Sequence, residues 1–177
     1  RKITSELARM RDVVDNRLEW ARISALQGDL EYTDTATGIT IDLDYGFTAG
    51  QKGVTPSVNW NIIATSNPVN DLQTWMDTVA DATGVVPTTI ITSRKALSYA
   101  AQSTALRGYF QYTDPILTAQ DVTRLLNDRL GVNVITYEAR YTASNGTWTR
   151  FLAENKLIML PDMGQMRGAT RFADTAY

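Results

Sequence analysis

Neither cysteine nor histidine occurs anywhere in the 177 residues. Their absence removes the thiolate nucleophile, the imidazole base and every Cys/His zinc or haem site. Carboxylate, lysine, serine or tyrosine chemistry remains, or a metal held by oxygen ligands, so an enzymatic reading starts at a disadvantage. Disulfides are excluded too, and a chain of this length buries about 70% of its unfolded surface and folds without them. The lack of cysteine fits a reducing compartment. Positive charge is also short: 17 Lys and Arg face 19 Asp and Glu, for a net −2 and a pI near 5.1. That is not the electrostatic footprint of a nucleic-acid binder. No apolar run approaches the ~18 residues of a membrane span, and no secretory signal is visible.

What is present reads as globular. Hydrophobic residues make up 44% and charged residues 20%, ordinary values for one domain or for two small lobes sharing a core. Residues 3–27 read as one amphipathic helix, with Ile3, Leu7, Met10, Val14, Leu18, Ala21 and Ala25 recurring at steps of three and four. Glu6/Arg9, Arg11/Asp15 and Glu19/Arg22 are spaced to meet on its exposed side, and Gly28 supplies a C-cap. Such a helix is roughly 37 Å long, long for a domain this size, and is expected to lie along something large and flat. A hairpin follows. Leu30 and Tyr32 alternate on one strand, and Ile39, Ile41, Leu43 and Tyr45 on the other, with Thr40, Asp42 and Asp44 on the opposite face. Ile39, Ile41 and Leu43 are expected to fasten the helix to a sheet. Residues 46–57 (GFTAGQKGVTPS) form a Gly-rich loop or linker.

A second segment begins at Trp60. Asn70 or Asp71 is expected to cap a helix through Leu72, Trp75, Met76, Val79 and Ala82, stopped by Gly84. Pro87 to Thr92 reads as a buried strand, and Ser93 as the cap of a helix through Ala96, Leu97, Ala100 and Ala101. A polar stretch, 102–118, leads to a helix from Ala119 to Leu130, ended by Gly131. Val132 to Tyr141 reads as one strand, Asn145-Gly146 as a hairpin turn, and Thr147 to Phe151 as the return strand. Lys156 to Leu160 is a further buried strand before Pro161, and the tail is polar. Strands and helices alternate irregularly, which makes the class α+β. The sequence opens at Arg1, inside a helical pattern and without Met, and reads as part of a longer product.

Five constellations invite chemistry. Asp42 and Asp44 offer oxygen ligands to Mg²⁺ or Ca²⁺, but no further acid lies at a matching spacing. The solvated face of a hairpin explains the pair better. Gly50-Gln51-Lys52-Gly53 lacks the Gly-Lys-Ser/Thr ending and the following helix of a phosphate cradle. Ser93 and Lys95 stand two residues apart on a helix start and point in different directions, so Ser93 reads as an N-cap. Arg1, Lys2, Arg9, Arg11, Arg17 and Arg22 on the first helix are interrupted by Glu6, Asp12, Asp15 and Glu19, leaving net +2, which suits intersubunit ion pairs better than DNA. Asn145-Gly146-Thr147 matches a glycosylation sequon but reads as a turn. No catalytic, cofactor-binding or metal-binding residue is assigned, and no cofactor is expected.

The order of the elements carries more information than any one of them. "RLEWARISALQGDLEY" followed by "ITIDLDYGF", then Trp60 and "NPVNDLQTW", resemble the long helix, glycine exit, acidic strand and Pro-x-x-Asp-Leu helix start of one family. "TGVVPTTIITSRKALSYA", "VNVITYEARYT", "GTWTRFLAENKLIMLPDMG" and "RGAT" resemble its later units in the same order. The family is the major capsid proteins of tailed bacteriophages, the lambda-type capsid protein E family. One departure is Ala153 in "FLAENK", where the family pattern has proline; another is that the family's N-terminal arm and roughly its last third have no counterpart here.

The resemblance implies the Hong Kong 97-type fold, with spine helix, peripheral-lobe hairpin and mixed α+β axial lobe. Residues 1–60 would belong to the peripheral lobe, 61–163 to the axial lobe, and 164–177 to a return segment. It implies a structural protein, not an enzyme, that self-assembles through pentamers and hexamers into an icosahedral shell. Scaffold, portal and decoration proteins would be partners, and packaged DNA would be met without sequence readout. No membrane is involved; the location is the virion, and the host cytoplasm during assembly. Gly46, Gly50 and Gly53 are the expected hinge between five- and six-fold environments. An encapsulin-like compartment and, from another class, a hydrolase using Asp42 and Asp44 are the alternatives.

Overall fold

A computed structural model describes residues 2–34, 37–110, 117–143 and 146–161. Helix α1 runs over Lys2–Leu26, as its apolar stripe predicts. Arg11–Asp15 and Arg22–Glu19 close at 3.7 and 3.5 Å, while Glu6 and Arg9 stay apart. The Gln27 and Gly28 amides turn back onto the Ile23 and Ala25 carbonyls at 3.2 and 3.0 Å. Gly28 has φ +99°, and a Cβ there would sit 2.8 Å from the Phe47 ring. Gly28→Ala is therefore expected to cost about 1–3 kcal/mol in backbone strain alone, read as a lowered unfolding midpoint. An unchanged midpoint would mean that the turn and Phe47 can shift at no cost.

Strands β1 (Asp29–Thr33) and β2 (Thr40–Asp44) pair antiparallel, with Leu30 opposite Leu43 and Tyr32 opposite Ile41. The alternation thus sorts the faces as expected. The expected fastening does not occur, because Ile39, Ile41 and Leu43 are all exposed, Ile41 by 51%. Contact with α1 comes from β1: the Tyr32 ring meets Trp20 edge-on at 6.3 Å. The Arg17 guanidinium lies 3.5 Å from the Tyr32 centroid and 4.3 Å from that of Trp20. A two-stranded ribbon that leans on a helix through one strand leaves the other uncovered.

Helix α2 (Pro68–Thr83) is capped by Asn67, not by Asn70 or Asp71. Asn67 Oδ1 accepts from the Asn70 amide at 3.3 Å, and Pro68 sits in the first turn, where its missing N–H costs nothing. Asp71 is buried instead. It accepts from Trp60 Nε1 at 2.9 Å and from the Ser57 hydroxyl at 3.3 Å, strapping the preceding loop onto the helix. Trp60 in turn stacks on Trp75 at 6.0 Å.

Strand β3 (Pro87–Thr92) is the centre of a three-stranded sheet. It pairs parallel with β4 (Asn133–Thr136) and antiparallel with β7 (Leu157–Pro161). Parallel neighbours need a crossover, which α3 (Arg94–Gln102), α4 (Thr104–Tyr109) and α5 (Ala119–Leu130) supply. Ser93 caps α3, and Thr118 and Asp121 form a capping box on α5. The predicted polar stretch conceals α4, whose six residues are too few to show a period; residues 111–116 of that stretch lie outside the described residues. Ser103 ends α3 and caps α4 through the Leu106 amide at 3.2 Å, and Leu106 is fully buried.

The core divides across this sheet. Ile90 and Leu72, Met76, Leu97, Ala100, Leu106, Val122 and Leu126 of the helices form the main cluster, with Leu157 and Met159 packed against it. The next residues along, Ile91, Ile158 and Leu160, join Ile23, Leu26, Tyr137, Phe151 and Leu152 in a second cluster. The period-two alternation of β3 and β7 thus seats helices on one face and the end of α1 on the other. The single strand expected over Val132 to Tyr141 is broken. After β4, Tyr137 donates its amide to Thr92 at 2.9 Å, and β5 (Arg140–Thr142) pairs with β6 (Trp148–Arg150) as a separate hairpin. Asn145 of the turn lies outside the described residues; Gly146 takes φ +80°. The architecture is mixed α+β, and the tail, 162–177, lies outside the described residues.

Candidate assembly surfaces

The hairpin carboxylates occupy one face in opposed pairs, Asp29 against Asp44 and Glu31 against Asp42. Like charges directly opposite repel. Lys52, from the Gly50-Gln51-Lys52-Gly53 loop, answers the first pair, with its ammonium 2.7 Å from Asp29 and 3.4 Å from Asp44. The Gly46 amide donates to Asp44 at 2.9 Å. That amide, then Lys52, holds the Asp44 carboxyl below its usual range, and Asp29 above all holds the Lys52 ammonium above its own. The loop that resembles a phosphate cradle is thus a clamp on the hairpin base. Among the described residues no three acidic side chains gather in a way that could hold a metal.

Ser93 is fully buried; its hydroxyl donates to the Glu154 carbonyl at 2.5 Å and accepts from the Ala96 amide. Lys95 turns away to the Glu154 carboxylate at 2.7 Å. Serine and lysine therefore do not meet, and the capping role stands. Of the basic residues on α1, Arg11 and Arg22 are taken by acids of the same helix and Arg17 by two rings. Arg1 and the Lys2 side chain lie outside the described residues.

Apolar surface is the feature that stands out. The α1 stripe is open from Ile3 (77% exposed) through Leu7, Met10 and Val14 to Leu18 (49%), and Ile39, Ile41, Leu43 and Tyr45 add a second open face. The exposed stripe ends where α1 reaches the sheet. There Ile23 is buried and Glu19 accepts from the Tyr137 hydroxyl at 2.6 Å. Burial first, and then Glu19, pushes that phenol well above its usual range. Separately, Trp60, Trp75, Tyr99, Pro56, Leu157 and Lys156 line an open groove of about 500 Å³. Patches of this kind mark contact surfaces, and the long open stripe of α1 suits assembly.

The family described as Phage major capsid protein E matches residues 1–176. The chain belongs to that family. Major capsid proteins are structural proteins, so the expectation of a non-enzyme stands with the membership. No curated protein matches the chain. Among solved structures, a protein described as a prophage capsid protein from E. coli CFT073 aligns with a TM-score of 0.60 and 19% identity. The alignment covers 89% of this chain and 47% of that one. A phage-related protein from Bordetella bronchiseptica RB50 aligns with a TM-score of 0.55 and 20% identity, covering 85% and 43%. At these identities the likeness speaks for the fold. The capsid-protein chain thus spans less than half the length of both solved structures. Sequence reasoning missed the Lys52 clamp, although a lone lysine in a Gly-rich loop after an acidic strand was its signal. It also missed the charges around Arg150, which no local pattern announces.

Proposed function

We propose that this capsid-family chain builds an icosahedral shell by self-assembly through pentamers and hexamers, enclosing DNA in the virion after assembly in the host cytoplasm. The observation that carries this reading is the uncovered α1 stripe and β2 face in a member of a capsid family. Contiguous apolar area of this extent marks a surface that other protein covers. In this reading residues 1–60 belong to a peripheral lobe of the Hong Kong 97 type, 61–163 to an axial lobe and 164–177 to a return segment. The cover comes, in this reading, from neighbouring copies in the shell. Repeated contacts, each of modest area, sum to a stable shell. Scaffold, portal and decoration proteins are the partners in this reading, and DNA is met without sequence readout, in keeping with the net charge of −2. Gly46, Gly50 and Gly53 are the joints that would absorb the difference between five- and six-fold positions, Gly46 and Gly53 at φ +73° and +69°. Electron microscopy of the full-length product tests the reading. Shells of uniform size are expected, and a product that stays strictly monomeric at high concentration overturns it.

A further inference from the structure

The β5–β6 hairpin shares no backbone ladder with the three-stranded sheet. Beyond the backbone bond from the Tyr137 amide to the Thr92 carbonyl, side chains hold its stem in place. Arg150, on β6, pairs with Glu138 and reaches Glu154 at 3.1 Å. Glu154 also takes Lys95 of α3 at 2.7 Å, and Glu138 accepts the backbone amide of Arg94, the first residue of α3, at 2.7 Å. Four charges and one amide therefore join the hairpin, the β4–β5 connection, the turn before β7 and the start of α3. The Arg150 side chain is the most enclosed of the group, 17% exposed. On the other side of the stem Tyr141 meets Phe151 at 4.8 Å, and Phe151 and Leu152, just past β6, pack in the second cluster. Arg140, Thr142, Trp148 and Thr149 are exposed, Trp148 by 70%. Among its described residues from 140 to 150, none belongs to either core cluster.

From this geometry we propose that the β5–β6 hairpin is an arm whose setting against α3 is fixed by a charge latch centred on Arg150. Arg140 lies directly opposite Arg150 in the ladder, and two guanidiniums in that register repel. Glu138 and Glu154 offset that repulsion inside the hairpin and also carry its links to α3, so losing them releases the arm. Partly exposed ion pairs are weak enough to open without unfolding the domain behind them.

The latch is sensitive to acid. The Arg94 amide, then Arg150, holds the Glu138 carboxyl below its usual range, and Lys95, then Arg150, does the same for Glu154. Glu154 in turn holds the Lys95 ammonium above its usual value, with Tyr99 facing it from the same helix. Lys95 and Arg150, both held above their usual range, keep their charge throughout the acid range. A carboxyl lowered by folding contributes stability above its unfolded value of about 4.3 and loses it as pH falls through the folded value. The arm is thus set at neutral pH and freed in acid, as pH falls through the lowered range of Glu138 and Glu154.

The inference goes beyond the shell reading and does not need it, because the arm can be followed in unassembled protein. Spin labels at Thr149→Cys and Asp128→Cys, on the arm and on exposed α5, report their separation in the full-length protein, and this chain brings no cysteine of its own. A single narrow distance distribution is expected at pH 7, broadening about twofold in Arg150→Gln and partly restored in Arg150→Lys. An equally narrow distribution in Arg150→Gln, with helix content intact, overturns the latch. Should Arg150→Gln fail to fold, Glu154→Gln decides the matter at pH 7, and an unchanged width there overturns it equally. A shell that fails to form while the arm broadens on cue removes the capsid reading and leaves the latch standing.

Discussion

Ile90→Ala is expected to lower the stability of the protein by about 2–5 kcal/mol, the largest loss we anticipate for a single change in this chain. Ile90 lies on the central strand, 1% exposed, among Leu72, Leu97, Leu106, Val122 and Leu126. Both neighbouring strands pair with β3 at this level, opposite Val134 and Met159. The sheet cannot collapse to fill the space, so the lost transfer energy and the new cavity add. Ile91, one residue on, faces the second cluster and is only half-buried. Ile91→Ala is therefore expected to cost less. Denaturant unfolding at constant slope measures both, and a loss below about 1 kcal/mol for Ile90→Ala would contradict the packing described. A typical domain has only about 5–15 kcal/mol to lose.

Leu7→Glu together with Met10→Glu is expected to do the opposite: to leave the fold alone and abolish the shell. Both side chains are more than half exposed on α1. Glutamate is a good helix former, and exposed substitutions of this kind shift stability by less than about 0.5 kcal/mol. In an assembled particle the same positions would be covered, and an unpaired carboxylate there costs several kcal/mol. Normal circular dichroism with no shells in electron micrographs is the expected outcome. A normal yield of shells would show that the stripe is not a contact surface. Contrast with Ile90 makes the pair informative, since one change attacks the core and the other only what the core leaves open.

Much of the local structure was legible in advance. The period of Ile3, Leu7, Met10, Val14 and Leu18, the glycines at 28, 84 and 131, and Ser93 as a cap all act within a turn or two of backbone. Their chemistry does not depend on where the rest of the chain goes. Misreadings cluster where that independence fails. Asn67 was passed over as the cap because Asp71 has the right chemistry for capping, yet a tryptophan and a serine eleven and fourteen residues earlier claim its carboxylate. The Val132 to Tyr141 strand broke because Thr92 and Arg94, far away in sequence, draw Tyr137 and Glu138 out of the extended run. Asp42 and Asp44 looked like a matched pair, and the cross-strand register divides them, Asp44 to Lys52 and Asp42 to a place opposite Glu31.

By itself, then, the sequence determined the absence of thiol and imidazole chemistry, the long first helix, the α+β class and, through the order of its elements, the capsid family. Tertiary structure alone decided which apolar faces are covered. The alternation of Ile39, Ile41 and Leu43 is that of a half-buried strand, yet their apolar face is open, while the adjacent Ile90 and Ile91 are covered on both faces of β3. The difference is that β3 acquires neighbours on both edges and layers on both faces, while β2 acquires one neighbour and no described layer. Periodicity records which side of an element is apolar. Whether that side meets protein depends on contacts between distant residues, and these only the path of the chain can supply.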